Sequence, residues 1–383
     1  MKPHPSTGII AHFSCIPDPR LNRKKEHKLT DIFFITICAV ICGADGWVSV
    51  AQFGQAKKEW LTRVLGLKNG IPSHDTFGNV FAVIDTQLFA ECFSRWVSEL
   101  IEVGVGVDNV MPSDIISIDG KCLRGSIDRA SKKAAIYMVS AWSQRNQLVL
   151  GQHKVDDKSN EISAIPKLLA QLNIEGAVVT MDAMGCQTKI AEQIVERNAD
   201  YLLSLKGNQG GLHEDVVTLF ESDLAPDISH VEYDGGHGRI ETRHVQFSTD
   251  VAWLKERHPQ WRTVNSIVAV TAEREQGDKT TRETRYFISS LKTTNAARLG
   301  QIVRAHWGIE NNLHWVLDYA FSEDAQRVRK GYSASNMAIL RHLALNLLKT
   351  EKSIKVGIKT KRLRAGWDEN YLLQVLTARP VST

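Results

Sequence analysis

The chain has 383 residues, of which 43% are hydrophobic and 23% charged, the balance of a globular protein able to bury a sizeable core in two or three domains. That balance excludes wholesale disorder and excludes a small module dependent on disulfides. Lys and Arg number 47 against 43 Asp and Glu, so the net charge of +4 permits nucleic acid as a partner without demanding it. The six cysteines include no CxxC pair and no zinc-ligand spacing, which predicts reduced thiols in a cytoplasmic protein. Residues 1–7 contain no apolar core of a cleavable signal peptide, and the apolar run at 31–43 is too short to span a bilayer. No membrane partner is therefore expected.

In chain order, helical periodicity at 29–43, 48–65, 73–84 and 86–103 predicts a helical N-terminal domain over 1–110, expected to bind DNA. Cys38 and Cys42 fall one turn apart in the first of these helices and read as core. A basic cluster precedes it, with Arg20, Arg23, Lys24 and Lys25. It reads equally well as a phosphate-binding arm or as a solvated surface. Residues 71–77 look like a turn and a helix capped by Ser73, which fits the second element of a helix-turn-helix.

A different architecture begins near Asp114. Strands are predicted at 115–118, 134–143 and 147–155, then a helix at 161–172, a strand at 177–181, a helix at 186–198 and a strand at 201–205. The order β-β-β-α-β-α-β, with Asp119 and Asp182 ending the first and fourth strands, is that of an α/β fold with a ribonuclease-H-like core. The first and fourth strands lie side by side in such a sheet, so the two carboxylates become neighbours. Strand-like runs at 228–233, 240–247, 264–272 and 284–290 predict a mainly β insertion over 207–294. The core is then expected to comprise 111–206 and 295–350.

It resumes with a long helix at 296–319, whose stripe of Leu299, Val303, Trp307, Leu313 and Leu317 also holds Glu310. A carboxylate on a face destined for the core requires a partner, a proton or a cation. A second apolar helix follows at 333–350, and 351–383 reads as a basic C-terminal tail.

Asp119, Asp182 and Glu310 are accordingly the candidate catalytic and metal-binding residues. Hard oxygen ligands suit Mg²⁺, with Mn²⁺ as an alternative, and such a site can serve in-line displacement at phosphorus. Singly, Asp119 can end a strand, Asp182 can cap a helix and Glu310 can pair with an arginine; it is their combination on strand, strand and helix that points to chemistry. Lys121, Arg124, Lys206, Arg239 and Arg243 lie near the predicted edges of this site, where they could hold phosphates or be ordinary surface charges. The run Gly207-Asn208-Gln209-Gly210-Gly211 lacks phosphate-loop spacing and reads as a flexible turn. His306 and His314 do not supply a zinc-site spacing, and Trp307 and Trp315 read as core or as base-stacking surfaces. No nucleophile-elbow pattern is present, which disfavours covalent catalysis.

Five motifs then carry a resemblance. Ser117-Ile118-Asp119-Gly120-Lys121 with Leu123-Arg124-Gly125-Ser126, Thr180-Met181-Asp182-Ala183 and Tyr201-Leu202-Leu203-Ser204-Leu205-Lys206-Gly207-Asn208-Gln209 come first. Gly236-His237-Gly238-Arg239-Ile240-Glu241-Thr242-Arg243 and His306-Trp307-Gly308-Ile309-Glu310-Asn311-Asn312-Leu313-His314-Trp315 follow. In this order, over nearly the whole chain, they resemble the ISAs1-type bacterial transposases, the group that includes the H-repeat-associated proteins.

The resemblance implies a DDE transposase whose metal-binding triad is Asp119, Asp182 and Glu310. It further implies hydrolysis at the ends of a mobile element and attack of the freed 3′-hydroxyl on target DNA. Double-stranded DNA would be the partner, with a homo-oligomer when two ends are synapsed and nucleoid association when bound. In the wider IS4-like clan a Tyr and an Arg precede the Glu and a Lys follows it; here Val303, His306 and Leu317 occupy those positions. Arg304 or His306 could substitute in contacting DNA. Two rival readings remain: a catalytically silent, transposase-derived DNA-binding protein, and a stand-alone nuclease with the same core.

Overall fold

The computed structural model describes residues 5–22, 25–104, 113–127, 134–156, 159–227, 229–236, 239–293 and 295–378. Arg23 and Lys24 of the basic cluster, and His237 and Gly238 of the fourth motif, lie outside the described residues.

The N-terminal third is helical: α1 (Pro5–Phe13), α2 (Leu29–Ile41), α3 (Trp47–Ala56), α4 (Lys58–Leu65), α5 (His74–Val83) and α6 (Thr86–Gly104). Every residue of α2 from Ile32 to Ile41 is buried, so this helix is apolar all round and sits in the middle of the fold. Burial raises the thiols of Cys38 and Cys42, the latter to about 12, which leaves both unreactive core residues. The single helix expected over 48–65 is two, interrupted at Lys57 where φ is −107°. Ser73 caps α5 by accepting the Thr76 N–H at 3.2 Å. That helix buries Phe77, Val80 and Phe81 and contains no Lys or Arg, so it lacks the cationic face that would meet phosphates in a recognition helix.

The middle of the chain builds β1 (Ile115–Leu123), β2 (Ile136–Ser143), β3 (Leu148–Lys154), α7 (Glu161–Gln171), β4 (Val178–Met181), α8 (Thr188–Glu196) and β5 (Asp200–Leu205). It continues with α9 (Gly210–Glu221), β6 (His230–Gly236), β7 (Arg239–Ser248), α10 (Ala252–Arg257), β8 (Ser266–Gln276) and β9 (Lys279–Ser289). All nine strands share one mixed sheet in the order β3-β2-β1-β4-β5-β9-β8-β7-β6. The strands β1, β4 and β5 are parallel, joined by helical crossovers, and the other pairs are antiparallel. The β-rich stretch expected as an insertion is therefore continuous with the central sheet, through the antiparallel pairing of Leu202↔Ser289 to Leu205↔Tyr286. Strand β1 also runs past its expected end at Ile118, carrying Asp119 inside the strand. Gly210 and Gly211, expected in a loose turn, instead begin α9.

The chain closes with α11 (Ala296–His306), α12 (Trp315–Phe321), α13 (Ser333–Thr350), α14 (Ile358–Trp367) and α15 (Glu369–Thr377). All residues of α13 except Lys349 are buried. Its two buried asparagines are fully used. Asn336 donates to the carbonyls of Phe81 and Ile84, each at 2.9 Å, and Asn346 exchanges two 2.9 Å bonds with the backbone of Val149 on the edge strand β3. One hydrophobic cluster runs from Ile9 to Leu376, so the N-terminal helices share their core with the sheet and the C-terminal helices. Residues 351–378 are folded rather than trailing. Lys361 is buried against the Leu348 carbonyl at 2.9 Å and the Glu351 carboxylate at 3.3 Å. Arg362 donates to the Val40 carbonyl at 2.8 Å and lies 4.0 Å over the Phe321 ring, with burial lowering it to about 10. Among the described residues no helix is long and apolar enough to cross a membrane.

Candidate active site

The site starts from strand register. In the parallel pair β1 and β4, Ser117 lies opposite Thr180 and Ile118 opposite Met181; Asp119 and Asp182 are the next residue on each chain. Alternation along a strand puts Asp119 on the face of Ser117, and Asp182 leaves β4 on the side of Thr180. Helix α11 covers that face: Ser117 Oγ donates to the Ala305 carbonyl at 3.4 Å, and Thr180 Oγ1 lies 3.2 Å from Ser117 Oγ and 3.0 Å from His306 Nδ1. Asp182 is aimed by its own turn, its Oδ1 accepting the N–H groups of Met184 and Gly185 at 3.1 and 3.2 Å. Asp119 Oδ1 accepts the Gly120 N–H at 2.9 Å.

The third carboxylate comes from the helix. After a turn at Trp307 the chain forms a π-helical turn over Glu310–His314 before α12. Such turns insert extra backbone into a helix and re-aim the side chains on it. Here His314 Nδ1 lies 3.1 Å from Glu310 Oε2 and 3.5 Å from Asp119 Oδ2. One ligand atom from each of Asp119, Glu310 and His314 can be chosen so that all lie within 4.8 Å of one another. Glu310 is 54% exposed, contrary to its expected place on the buried stripe. Buried positions include Leu299, Ile302, Ile309, Leu313 and Leu317, so the buried stripe runs through Ile302 and Ile309, one residue ahead of the expected Val303 and Glu310, and both Glu310 and Trp307 face outward.

Asp119, Asp182 and Glu310 line one cavity of about 350 Å³, together with Lys206, Arg285 and His306. Burial raises the Asp119 carboxyl above its ordinary value, His314 and the Gly120 N–H pull it down, and the charges of Asp182 and Glu310 push it up again. Glu310 is held low, first by its hydrogen bond to His314. Burial lowers His306, with Asp182 opposing, which keeps its imidazole neutral. A further carboxylate belongs to this neighbourhood: Glu161, the first residue of α7, is raised by burial and then by Asp119 and Asp182. Its Oε1 sits where a Cβ on Gly120 would stand only 2.1 Å away. Sequence reasoning missed Glu161, since an acid at a helix start reads as a dipole partner. It also set His314 aside by weighing it only with His306, although a four-residue spacing places it beside Glu310 on a helix.

The cations expected at DNA divide into three groups. Lys206 and His306 line the carboxylate cavity. Arg239, Arg243 and Arg304 line an adjoining groove of about 750 Å³ between the outer strands and α11. There they are met by acids: Arg243 pairs with Glu241 at 2.7 Å, Arg239 with Glu241 at 3.8 Å, and Arg304 with Glu232 at 2.7 Å and Asp234 at 2.5 Å. Arg285, which the sequence reading did not single out, lines both cavities and lies 5.2 Å over the Trp307 ring. The rest are engaged elsewhere or stand apart. Lys121 turns inward to Asp318 and, at 3.8 Å, to Glu323. Arg20 is tied to Asp18 at 2.9 and 2.8 Å and to the His27 carbonyl at 2.7 Å, with Lys25 4.0 Å from the same Asp18. Arg124 is 79% exposed with Asp324 at 3.6 Å.

Comparison with known proteins gives matches over most of the chain. A family model described as "Transposase DDE domain" matches residues 111–347, and one described as "DDE_Tnp_1-associated" matches residues 10–97. "Putative transposase YncI" of Escherichia coli O157:H7 is 41% identical over 379 residues, covering 97% of this chain and 95% of that protein. "H repeat-associated putative transposase YhhI" of Escherichia coli strain K12 is 39% identical over 382 residues, covering 98% of this chain and 99% of that protein.

Proposed function

Because the chain belongs to the H-repeat-associated DDE transposases, we propose that Asp119, Asp182 and Glu310 are its metal-binding catalytic triad and that it cuts and joins double-stranded DNA at the ends of a mobile element. The observation that carries this reading is that three carboxylates, from β1, the end of β4 and the π turn, line one cavity, where burial first and then the charges of Asp182 and Glu310 raise Asp119. Acids gathered in this way need a counter-charge, and their oxygen donors fit a hard divalent ion. Mg²⁺ or Mn²⁺ held there would supply Lewis acidity for in-line displacement at phosphorus.

The chain's own residues do the rest. The N–H groups of Met184 and Gly185 fix the Asp182 carboxylate, and the Gly120 N–H fixes that of Asp119. Lys206 and Arg285, which line the same cavity, hold phosphate oxygens of the scissile strand. The neighbouring groove receives the flanking duplex, whose phosphates replace Glu232, Asp234 and Glu241 as partners of Arg239, Arg243 and Arg304. The strand order β3-β2-β1-β4-β5, antiparallel up to β1 and parallel from β1 to β5, supports a ribonuclease-H-like core. Joining of two element ends would require a homo-oligomer, working in the cytoplasm on nucleoid DNA.

The test is a cleavage and strand-transfer assay on DNA carrying the element's own ends, with Mg²⁺ or Mn²⁺. The wild type should cut and join. Asp119→Asn, Asp182→Asn and Glu310→Gln should each abolish cutting while gel-shift binding persists. Cutting without joined product would mark a nuclease, and binding with neither would mark a silent DNA-binding protein. Wild-type cutting by any of the three variants removes that residue from the triad.

A further inference from the structure

The residue best placed beside the triad is a histidine. His314 is 5% exposed, held by Leu313 and Leu317 on a buried helix face, and its Nδ1 points at both Glu310, at 3.1 Å, and Asp119, at 3.5 Å. Ligand atoms at right angles around an ion with bonds of 2.0–2.2 Å stand roughly 3 Å apart, so these separations suit ligands of one ion. Glu310 and His314 are four residues apart, a spacing that puts both side chains on one helix face, and here that face meets Asp119.

The other side of the ring supplies a second observation. His314 Nε2 is buried and has no hydrogen-bond partner. His314 lines a small pocket of about 10 Å³ with Lys121, Gln152, Glu323 and His342. Both polar atoms of the fully buried Gln152, and Nδ1 of His342, are likewise unpartnered. This is room for about one water, with polar groups to hold it. A histidine that ligates a metal through one nitrogen donates the hydrogen of the other to an acceptor behind it, which fixes the tautomer. The pocket offers such acceptors, Gln152 Oε1 and His342 Nδ1, through that water.

We propose that His314 Nδ1 is a ligand of the divalent ion shared with Asp119 and Glu310, and that this nitrogen makes the site favour transition-metal dications such as Mn²⁺ over Mg²⁺. The inference rests on the triad reading and adds to it a donor that three carboxylates do not provide. Imidazole nitrogen suits first-row transition metals, whereas Mg²⁺ prefers oxygen and water.

The experiment uses the full-length chain with Mn²⁺ alone as the probe. Pulsed electron paramagnetic resonance on the wild type should show coupling to a directly bonded ¹⁴N. His314→Gln should lose that coupling, weaken Mn²⁺ binding about tenfold by calorimetry, and change Mg²⁺ binding by less than about threefold. Where substitution at this buried position disturbs folding, the wild-type spectrum is read beside that of His306→Gln, the other histidine lining the cavity: coupling that survives in His306→Gln supports His314, and coupling lost there overturns its ligand role. Mn²⁺ bound by the wild type without nitrogen coupling, yet lost in Asp119→Asn, would overturn the ligand role of His314 and leave the triad standing. Failure of the wild type to bind any Mn²⁺ would overturn both.

Discussion

At the scale of single residues, Asp119 shows what gathering carboxylates costs the folded protein. Its carboxyl binds a proton more tightly in the folded chain than in the unfolded one, because burial and the charges of Asp182 and Glu310 disfavour ionisation. The folded state therefore loses stability as pH rises through the window above the ordinary aspartate value of 3.8, and the loss persists at neutral pH. In chelator, Asp119→Asn should melt above the wild type at pH 7, and the advantage should shrink as the pH is lowered toward 4; an unchanged difference would show that the repulsion is not felt. Two glycines give a contrasting pair. A Cβ at Gly125 would stand 1.9 Å from the backbone carbonyl oxygen of Gln326, whereas one at Gly120 meets only the movable end of Glu161. Gly125→Ala should cost about 3 kcal/mol or more in denaturant unfolding, and Gly120→Ala roughly half that or less. Asp119 and Asp182 were legible in the sequence because each closes a short β-branched run followed by a turn or Gly. Arg285 was not, since it sits in a strand of alternating charges where no single cation stands out.

At the scale of elements, the strands and most helices follow from local pattern, and the exception lies at the site. The stripe chosen over 296–319 places Glu310 toward the core, but the buried stripe passes through Ile309 instead, and Glu310 faces the cavity at the start of a π turn over Glu310–His314. A period of 3.6 cannot register an inserted residue. Removing that residue is a direct check. Deleting Asn312 should convert the π turn to α-helix with helical circular dichroism retained, while Glu310 and His314 no longer face Asp119. Mn²⁺ binding and DNA cleavage should both be lost; retention of either would mean that the π turn is incidental to the site. The joining of β5 to β9 was likewise hidden, since it pairs segments far apart in the chain and nothing local to either strand names its partner. The exposed Trp315, stacked on Tyr319 at 4.8 Å, and the exposed Trp307 are not core, which leaves the base-stacking half of the sequence expectation open to test by DNA contact.

At the scale of the whole molecule, the sequence suggested a helical module, a catalytic core and a basic tail in succession, but the hydrophobic cluster passes through all three stretches. The charge count at 351–383 could not show which cations face inward. Lys361 and Arg362 are buried on backbone carbonyls, and the Tyr371 hydroxyl donates to Glu351 at 2.7 Å, so α14 and α15 act as internal braces for α2 and α13. A chain ending at Thr350 should accordingly aggregate or be digested rapidly by protease. If it were instead a monodisperse, fully folded protein with merely weaker DNA affinity, the bracing role would be wrong.

Continuity of the nine strands has a mechanical consequence. Backbone ladders run without a register shift from β1 to β6, so the sheet offers no break between the arm bearing Arg239 and Arg243 and the strands bearing Asp119 and Asp182. If the groove and the carboxylates act as proposed, the gap between them would be a fixed gauge, like the spacing of rails, and a duplex would have to arrive with its scissile phosphate already at that offset or bend to meet it. Choice of cutting position would thus be a matter of length measured by stiff architecture, with the DNA rather than the protein doing the yielding.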